Sequence, residues 1–223
     1  MLSVRKMSRA AFGMIHIVLI AAICGSFTNA AAQDDVSEKA FKESAELRKR
    51  EEKAAKDIDK YVMRLDRTTR ALKRLGRADG DDLRKRYESF SEELEKLEEA
   101  QKRAVSSIDK MKATGVEYFS SWEKANGSIS DPELRNEAAE RHSRVMMKHI
   151  DLAQAIGDIG IELQPFMSRL HDLRAFLGAD LSERNVRLAR ERIQACQTDA
   201  QVLRSKIGEV QATFKQFLSE MPR

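Results

Sequence analysis

The sequence has few of the residues that break or cross-link a chain. Among 223 residues it has three prolines, two cysteines and 6% aromatic residues, while 34% are charged. Such a composition is typical of long helices rich in Ala, Glu, Lys, Leu and Arg. Charges of both signs are interleaved, unlike the charge blocks of disordered chains. We therefore expect one helical domain of ordinary size.

The sequence also lacks the recurrent motifs of catalysis. It has no glycine-rich phosphate loop and no His-Glu-x-x-His pattern, and it holds only four histidines. Catalysis needs polar groups that converge in a pocket, and a closed helical bundle offers few such places. We therefore expect no enzymatic activity and no cofactor.

The first 32 residues have the three-part pattern of a secretory signal peptide. Arg5, Lys6 and Arg9 give a positive start. Residues 10–27 then carry no formal charge, and residues 28–32 supply small side chains for a signal peptidase. This pattern predicts an exported protein of the periplasm or cell envelope.

Two other fates of the signal stay open. Its apolar run is near the lower length limit for spanning a bilayer, so an uncleaved anchor competes with cleavage. Lipidation of Cys24 is the third fate, although Ile23 is bulky where a lipoprotein signal has a small residue. The mature domain is predicted at residues 33–223, and it contacts a membrane only if the signal stays attached.

Removing the signal changes the charge and the cysteine count. The formal net charge of +4 falls to +1 when Arg5, Lys6 and Arg9 leave, which argues against nucleic acid as a partner. Cys196 is then the one cysteine left, so no internal disulfide can form. Its position on an apolar helix stripe predicts a buried thiol.

Apolar residues recur at steps of three and four through the mature chain, a period that only helices can use. The clearest stripe comprises Leu83, Tyr87, Phe90, Leu94, Leu97, Gln101, Ala104, Ile108, Met111, Gly115, Tyr118 and Trp122. Breaks between such stripes predict helices at about 36–75, 82–125, 132–177 and 182–220. Short connections and wide apolar faces predict an all-α, elongated, antiparallel up-down four-helix bundle with coiled-coil-like heptad packing. Hairpins that pair between two chains would use the same stripes, so a homo-oligomer stays open.

The bundle predicts two end clusters and one weak point. At the end with the second connection we expect contacts among Phe41, Tyr118, Phe119, Trp122, Leu134, Phe214 and Phe217. At the opposite end we expect contacts among Leu72, Leu75, Leu83, Tyr87, Phe176, Leu177 and Val186. Gly157, Gly160 and Pro165 mark the weakest part of the third helix, because proline and glycine disfavour a helix interior.

Several short motifs resemble an uncharacterised bacterial family, domain of unknown function 2959. These are Glu117-Tyr118-Phe119, Trp122-Glu123, Leu134-Arg135, and Leu170 to Leu177 followed by Leu181 and a heptad-rich last helix. The resemblance implies an exported helical protein with no assigned activity. It offers no catalytic residues to transfer to this sequence.

A metal site on the third helix is one candidate function. His142, Met146 and His149 stand at i, i+4 and i+7 and so share one face of a helix. Imidazole and thioether ligands suit copper, which an extracytoplasmic protein can meet. Because His149 lies on the apolar stripe, a buried, hydrogen-bonded histidine is the competing interpretation.

A second candidate is a basic end of the bundle. It brings together helix ends that carry Arg70, Arg74, Arg77, Arg84, Arg184 and Arg187. Anionic lipid headgroups, cell-wall polymers or an acidic protein would suit it. Five acidic residues dilute this charge, so a solvated, partly self-paired surface is the alternative.

The sequence as a whole favours a binding or scaffold protein of the bacterial cell envelope. Its partner would be another envelope protein or an anionic envelope component. A periplasmic copper-handling protein is the alternative.

Overall fold

The computed structural model describes the backbone of residues 10–221 and the side chains of residues 38–221. Within this part the chain forms four helices and no strand, which confirms the predicted all-α class. The helices are α1 (Ala10–Leu75), α2 (Asp82–Gly127), α3 (Pro132–Ala179) and α4 (Glu183–Glu220). α1 begins earlier than predicted, and the side chains of the predicted signal at 1–32 lie outside the described residues.

Short connections and side-chain caps separate the helices. Asp131 caps α3, since its carboxylate accepts hydrogen bonds from the backbone N–H of Glu133 at 2.9 Å and of Leu134 at 3.1 Å. Ser182 caps α4 by accepting from the N–H of Asn185 at 3.4 Å. Connections of a few residues leave consecutive helices no room to run in the same direction.

Each helix packs on two neighbours: α1 and α3 each lie against α2 and α4. Between α1 and α4, Asp66 pairs with Arg204 at 2.9 Å and Asp59 accepts from Gln211. Residue numbers thus fall in one helix as they rise in the other, which is the pairing of antiparallel neighbours. The same order links α3 to α4, through Arg169 with Asp199 and Glu162 with Lys206.

The predicted stripes face inward. In α2 the buried members of the stripe are Leu83, Phe90, Leu94, Leu97, Ala104, Ile108, Met111, Gly115 and Tyr118. α4 buries ten residues at the same period, so both helices direct one apolar face to a shared core. Between residues 38 and 221, none of the helices combines the length and the hydropathy needed to cross a bilayer.

The end of the bundle near the second connection is built from three helices. Lys148 pairs with Glu220 at the end of α4, so the part of α3 before Lys148 extends past α4. Phe41 and Leu134 lie beyond that point and are 63% and 59% exposed. Their predicted burial is therefore wrong, because the fourth helix is too short to cover them.

The opposite end is packed as predicted, with one exception. Leu72, Leu75, Leu83, Leu177 and Val186 are buried there. Tyr87 is half-buried and donates a hydrogen bond from its hydroxyl to the carbonyl of Arg174 at 3.0 Å. Phe176, predicted to be core, is 45% exposed because Leu173 and Leu177 hold the inward positions of that turn.

Candidate functional site

A histidine and a glutamate meet inside the apolar core. Nδ1 of His149 on α3 lies 3.0 Å from Oε1 of Glu51 on α1, and the two side chains are 8% and 0% exposed. α1 and α3 are not packing neighbours, so this hydrogen bond crosses the bundle interior from one corner to the other. With an ionised Glu51, the Nδ1–H of His149 donates and the carboxylate accepts.

One residue from each helix forms this layer of the core. On α2, Gly115 makes room for the imidazole, because a Cβ at this position would collide with Nε2 of His149. On α4, the ring centroid of Phe217 lies 5.7 Å from that of His149. We call Glu51, Gly115, His149 and Phe217 the polar layer.

The electrostatics of the polar layer are set mainly by burial. Burial raises the pKa of the Glu51 carboxyl, and the hydrogen bond and charge of His149 oppose that rise. The second oxygen, Oε2, is buried and has no hydrogen-bond partner among the described residues. An ionisable pair at this depth therefore costs the fold part of the stability that an apolar layer would give.

His142 takes part in a separate contact two turns away. Its Nε2 lies 3.0 Å from the carbonyl oxygen of Phe119, and because a carbonyl can only accept, that nitrogen carries the hydrogen. The imidazole stands edge-on to Trp122, with ring centroids 5.1 Å apart. The Arg141 guanidinium lies over the same indole at 5.8 Å, so the histidine is held in an aromatic cluster.

The two histidines of the predicted metal site lie against the same aromatic ring. His142 and His149 are both buried, but the Phe119 ring contacts each of them, at centroid distances of 5.8 and 5.4 Å. One ring nitrogen of each histidine is already hydrogen-bonded to protein. Met146 is partly buried and packs against the core. From residue 38 to 221, no three His, Cys, Asp or Glu side chains are grouped to hold a metal.

One hydrogen bond links two of the segments that carry the predicted basic end. The backbone N–H of Gly80 donates to Oε1 of Glu183 at 2.9 Å, which joins the first connection to the start of α4. Gly80 has a φ of +50°, a left-handed conformation that glycine adopts without strain. The six arginines predicted for this end, Arg70, Arg74, Arg77, Arg84, Arg184 and Arg187, are all exposed.

Most of these arginines are free of intramolecular partners. Arg187 pairs with Glu183 at 3.3 Å. The other five form no ion pair with any residue whose side chain is described. Exposed cations held close together on converging helix ends create a positive surface potential.

Cys196 is a buried free thiol, as predicted. Burial raises the pKa of this thiol, and the nearby Arg169 guanidinium opposes that rise only in part. A thiol that keeps its proton is a poor nucleophile and a poor metal ligand. Cys196 is therefore a packing residue of α4.

Sequence reasoning missed Glu51, although a signal was present. Glu51 falls on the apolar stripe of α1, one turn after Leu47 and one turn before Ala54. Gly115 and His149 hold equivalent positions on the stripes of α2 and α3. An ionisable residue on each of two apolar stripes, Glu51 and His149, was the available signal.

Comparison with protein families gives one finding. The family described as protein of unknown function (DUF2959) matches residues 45–221. The chain belongs to this family. The match covers α2, α3, α4 and the part of α1 from residue 45 onward. No curated protein and no solved structure matches the chain.

Proposed function

We propose that this DUF2959 protein is a binding or scaffold protein of the bacterial cell envelope that contacts an anionic component through its basic end. The observation that carries the proposal is the concentration of exposed, unpaired arginines on three helix ends at one tip of the bundle. Phosphate and carboxylate groups are the natural partners of such a surface.

The shape of the molecule suits a spacer. Residues 38–75 of α1 span ~56 Å at 1.5 Å per residue, and the basic end lies at their far end. If the amino-terminal segment remains in a membrane, the arginines lie well away from it. In that case the protein would connect that membrane to an anionic surface some distance away.

The copper alternative has no comparable support. The Phe119 ring contacts both His142 and His149, and each histidine already makes a hydrogen bond within the protein. Binding by the arginines needs no rearrangement of the core. We therefore put forward the basic end as the functional surface.

Charge reversal tests this proposal. The full chain would be sedimented with phosphatidylcholine vesicles, with the same vesicles containing phosphatidylglycerol, and with isolated peptidoglycan. We expect binding to an anionic sample that weakens as salt is added, because screening acts on exposed charges. Replacing Arg74, Arg77 and Arg184 by Glu should weaken it more than a hundredfold, at about 1 kcal/mol or more for each charge.

A matched variant distinguishes the effect of where the charges lie from the effect of the protein's net charge. Lys56, Lys124 and Lys215 are exposed lysines outside the basic end and form no ion pair with the described residues. Replacing all three by Glu changes the net charge equally and should leave most of the binding intact. Equal losses in both triple variants, or no binding of the unmodified chain to any anionic sample, would contradict the proposal.

A further inference from the structure

The inward face of α3 is incompletely covered in the middle of the bundle. Leu152 and Leu163 are 0% and 8% exposed, whereas Ile156 and Ile159, which lie between them on the same stripe, are only partly buried. Gly160 follows directly, and a Cβ there would meet no atom within 4 Å. The space that a larger residue would fill at this point is open.

A cavity of about 100 Å³, which we call the central cavity, lies behind this gap. All four helices contribute to its walls, which are almost entirely apolar. Its lining includes Ile58, Tyr61, Ile108, Gly160, Ile207 and Val210. An apolar cavity of ~150 Å³ in another protein stays dry and holds benzene, so the central cavity suits a slightly smaller ring.

Tyr61 adds a hydrogen-bonding group to these apolar walls. It is 5% exposed, and its hydroxyl oxygen is buried without a hydrogen-bond partner in the part of the chain described. Burial raises the pKa of Tyr61, so the phenol keeps its proton and remains a donor. A buried donor without an acceptor destabilises the fold. Because the hydroxyl oxygen is buried, an acceptor supplied by a ligand relieves that cost only when the Tyr61 ring turns toward the cavity.

A surface groove adjoins the central cavity. A broad groove of about 750 Å³ runs along α2 and reaches Met167 and His171 on α3. Gln101 and Val105 belong to the walls of both the groove and the cavity. The groove is within the size range of ligand sites, ~300–1,000 Å³, so a molecule can enter here and place one group in the cavity.

We propose that the central cavity binds a small, mainly apolar molecule, or the apolar end of a larger one, that carries one hydrogen-bond-accepting oxygen for the Tyr61 hydroxyl. The ring or branched alkyl group fills the space beside Gly160, and the oxygen accepts from Tyr61. This site is independent of the basic end, so either proposal can fail without the other.

Two probes of equal shape test the site. Tetrahydrofuran carries an ether oxygen where cyclopentane has a methylene group. Each would be titrated into the full chain while the methyl resonances of Ile156, Ile159 and Ile207 are followed by NMR. We expect both probes to shift these resonances saturably, because both fit the apolar space.

Two substitutions then locate the probes. Gly160→Leu should fill the cavity and abolish both titrations. Gly157→Leu is the matched control, since Gly157 lies on the same helix, also faces open space and does not line the cavity. Tyr61→Phe should reduce the preference for the ether over the hydrocarbon by roughly tenfold, the worth of one hydrogen bond.

Each contrary result has a defined meaning. Absence of saturable shifts with both probes overturns the cavity as a binding site, and so do equal titrations in the Gly160→Leu and Gly157→Leu variants. An unchanged ether preference in Tyr61→Phe overturns the role of the hydroxyl. Methyl shifts that appear on dilution of the protein alone, with a falling mass by sedimentation, would show that a second copy of the chain covers this face.

Discussion

Two glycines on facing helices mark opposite kinds of packing. At Gly115 the bundle is so close that a Cβ would collide with the His149 ring, while at Gly160 a Cβ would meet nothing within 4 Å. α3 is therefore held tightly at the polar layer and loosely about two to three turns further on. The same residue type permits close approach in one place and leaves space in the other.

The largest expected effect comes from breaking the pair in the polar layer. His149→Leu would leave Glu51 buried without its hydrogen-bond partner, which should lower the free energy of unfolding by about 3–5 kcal/mol. Urea unfolding followed by circular dichroism measures it. The double variant Glu51→Leu/His149→Leu should recover most of the loss, because an apolar pair needs no partner.

An exposed histidine provides the control for that comparison. His171 is 44% exposed at the side chain and pairs with Glu98 at 3.5 Å. His171→Leu should change the free energy of unfolding by no more than about 1 kcal/mol, as for other surface pairs. Equal effects of His149→Leu and His171→Leu would mean that the polar layer is not a buried pair.

Adding one methyl group should have opposite effects on stability at Gly115 and at Gly160. Gly115→Ala forces the His149 ring to move, and we expect a net loss of roughly 2 kcal/mol in unfolding free energy even after the helix propensity gained. The loss should shrink when the same change is made together with His149→Ala, which removes the colliding ring. A Gly115→Ala variant as stable as the unmodified chain would show that α2 and α3 are not in close contact here.

A methyl group added at Gly157 or Gly160 should instead stabilise the folded protein. Gly157→Ala and Gly160→Ala place a Cβ in open space within a helix, so each should raise the free energy of unfolding by about 0.5–1 kcal/mol. Thermal unfolding measures both variants under one set of conditions. Destabilisation by Gly160→Ala would mean that the space beside it is already filled.

A finer test uses the protonation of Glu51. Folding raises the pKa of Glu51 above 4.5, so the fold favours the protonated carboxyl. The resulting stabilisation is complete below pH 4.5 and is lost as the pH rises through the folded pKa. Glu51→Gln keeps a hydrogen-bond acceptor but cannot ionise. The variant should therefore gain stability relative to the unmodified chain between pH 4 and pH 7, measured by urea unfolding, and the reverse trend would contradict burial as the cause.

The sequence predicted the helices and most of the core, because apolar period and capping residues are local signals. The boundaries of α2, α3 and α4 lie within two residues of those expected. The predicted burial of Phe41 and Leu134 was wrong for a non-local reason, since their exposure depends on where α4 ends beside them. The predicted burial of Phe176 was wrong because Leu173 and Leu177 occupy the inward positions of the same turn.

The candidate sites differ in how far the sequence revealed them. The basic end was predicted from connection lengths alone, and it stays a prediction. His149 was recognised as a stripe residue, but its partner Glu51 lies on a helix that is not its packing neighbour. The central cavity was signalled only as weakness near Gly157, Gly160 and Pro165, because its volume depends on the position of α3 relative to three other helices.

Native-state hydrogen exchange of the full chain tests the contrast along α3 most directly. We predict that the backbone amides of residues 145–152, around the polar layer, exchange only through near-global unfolding. Amides of residues 156–161, beside the central cavity, should exchange through a smaller opening with a clearly lower free energy. Equal protection along both segments would contradict the account, because α3 would then be held uniformly by its neighbours.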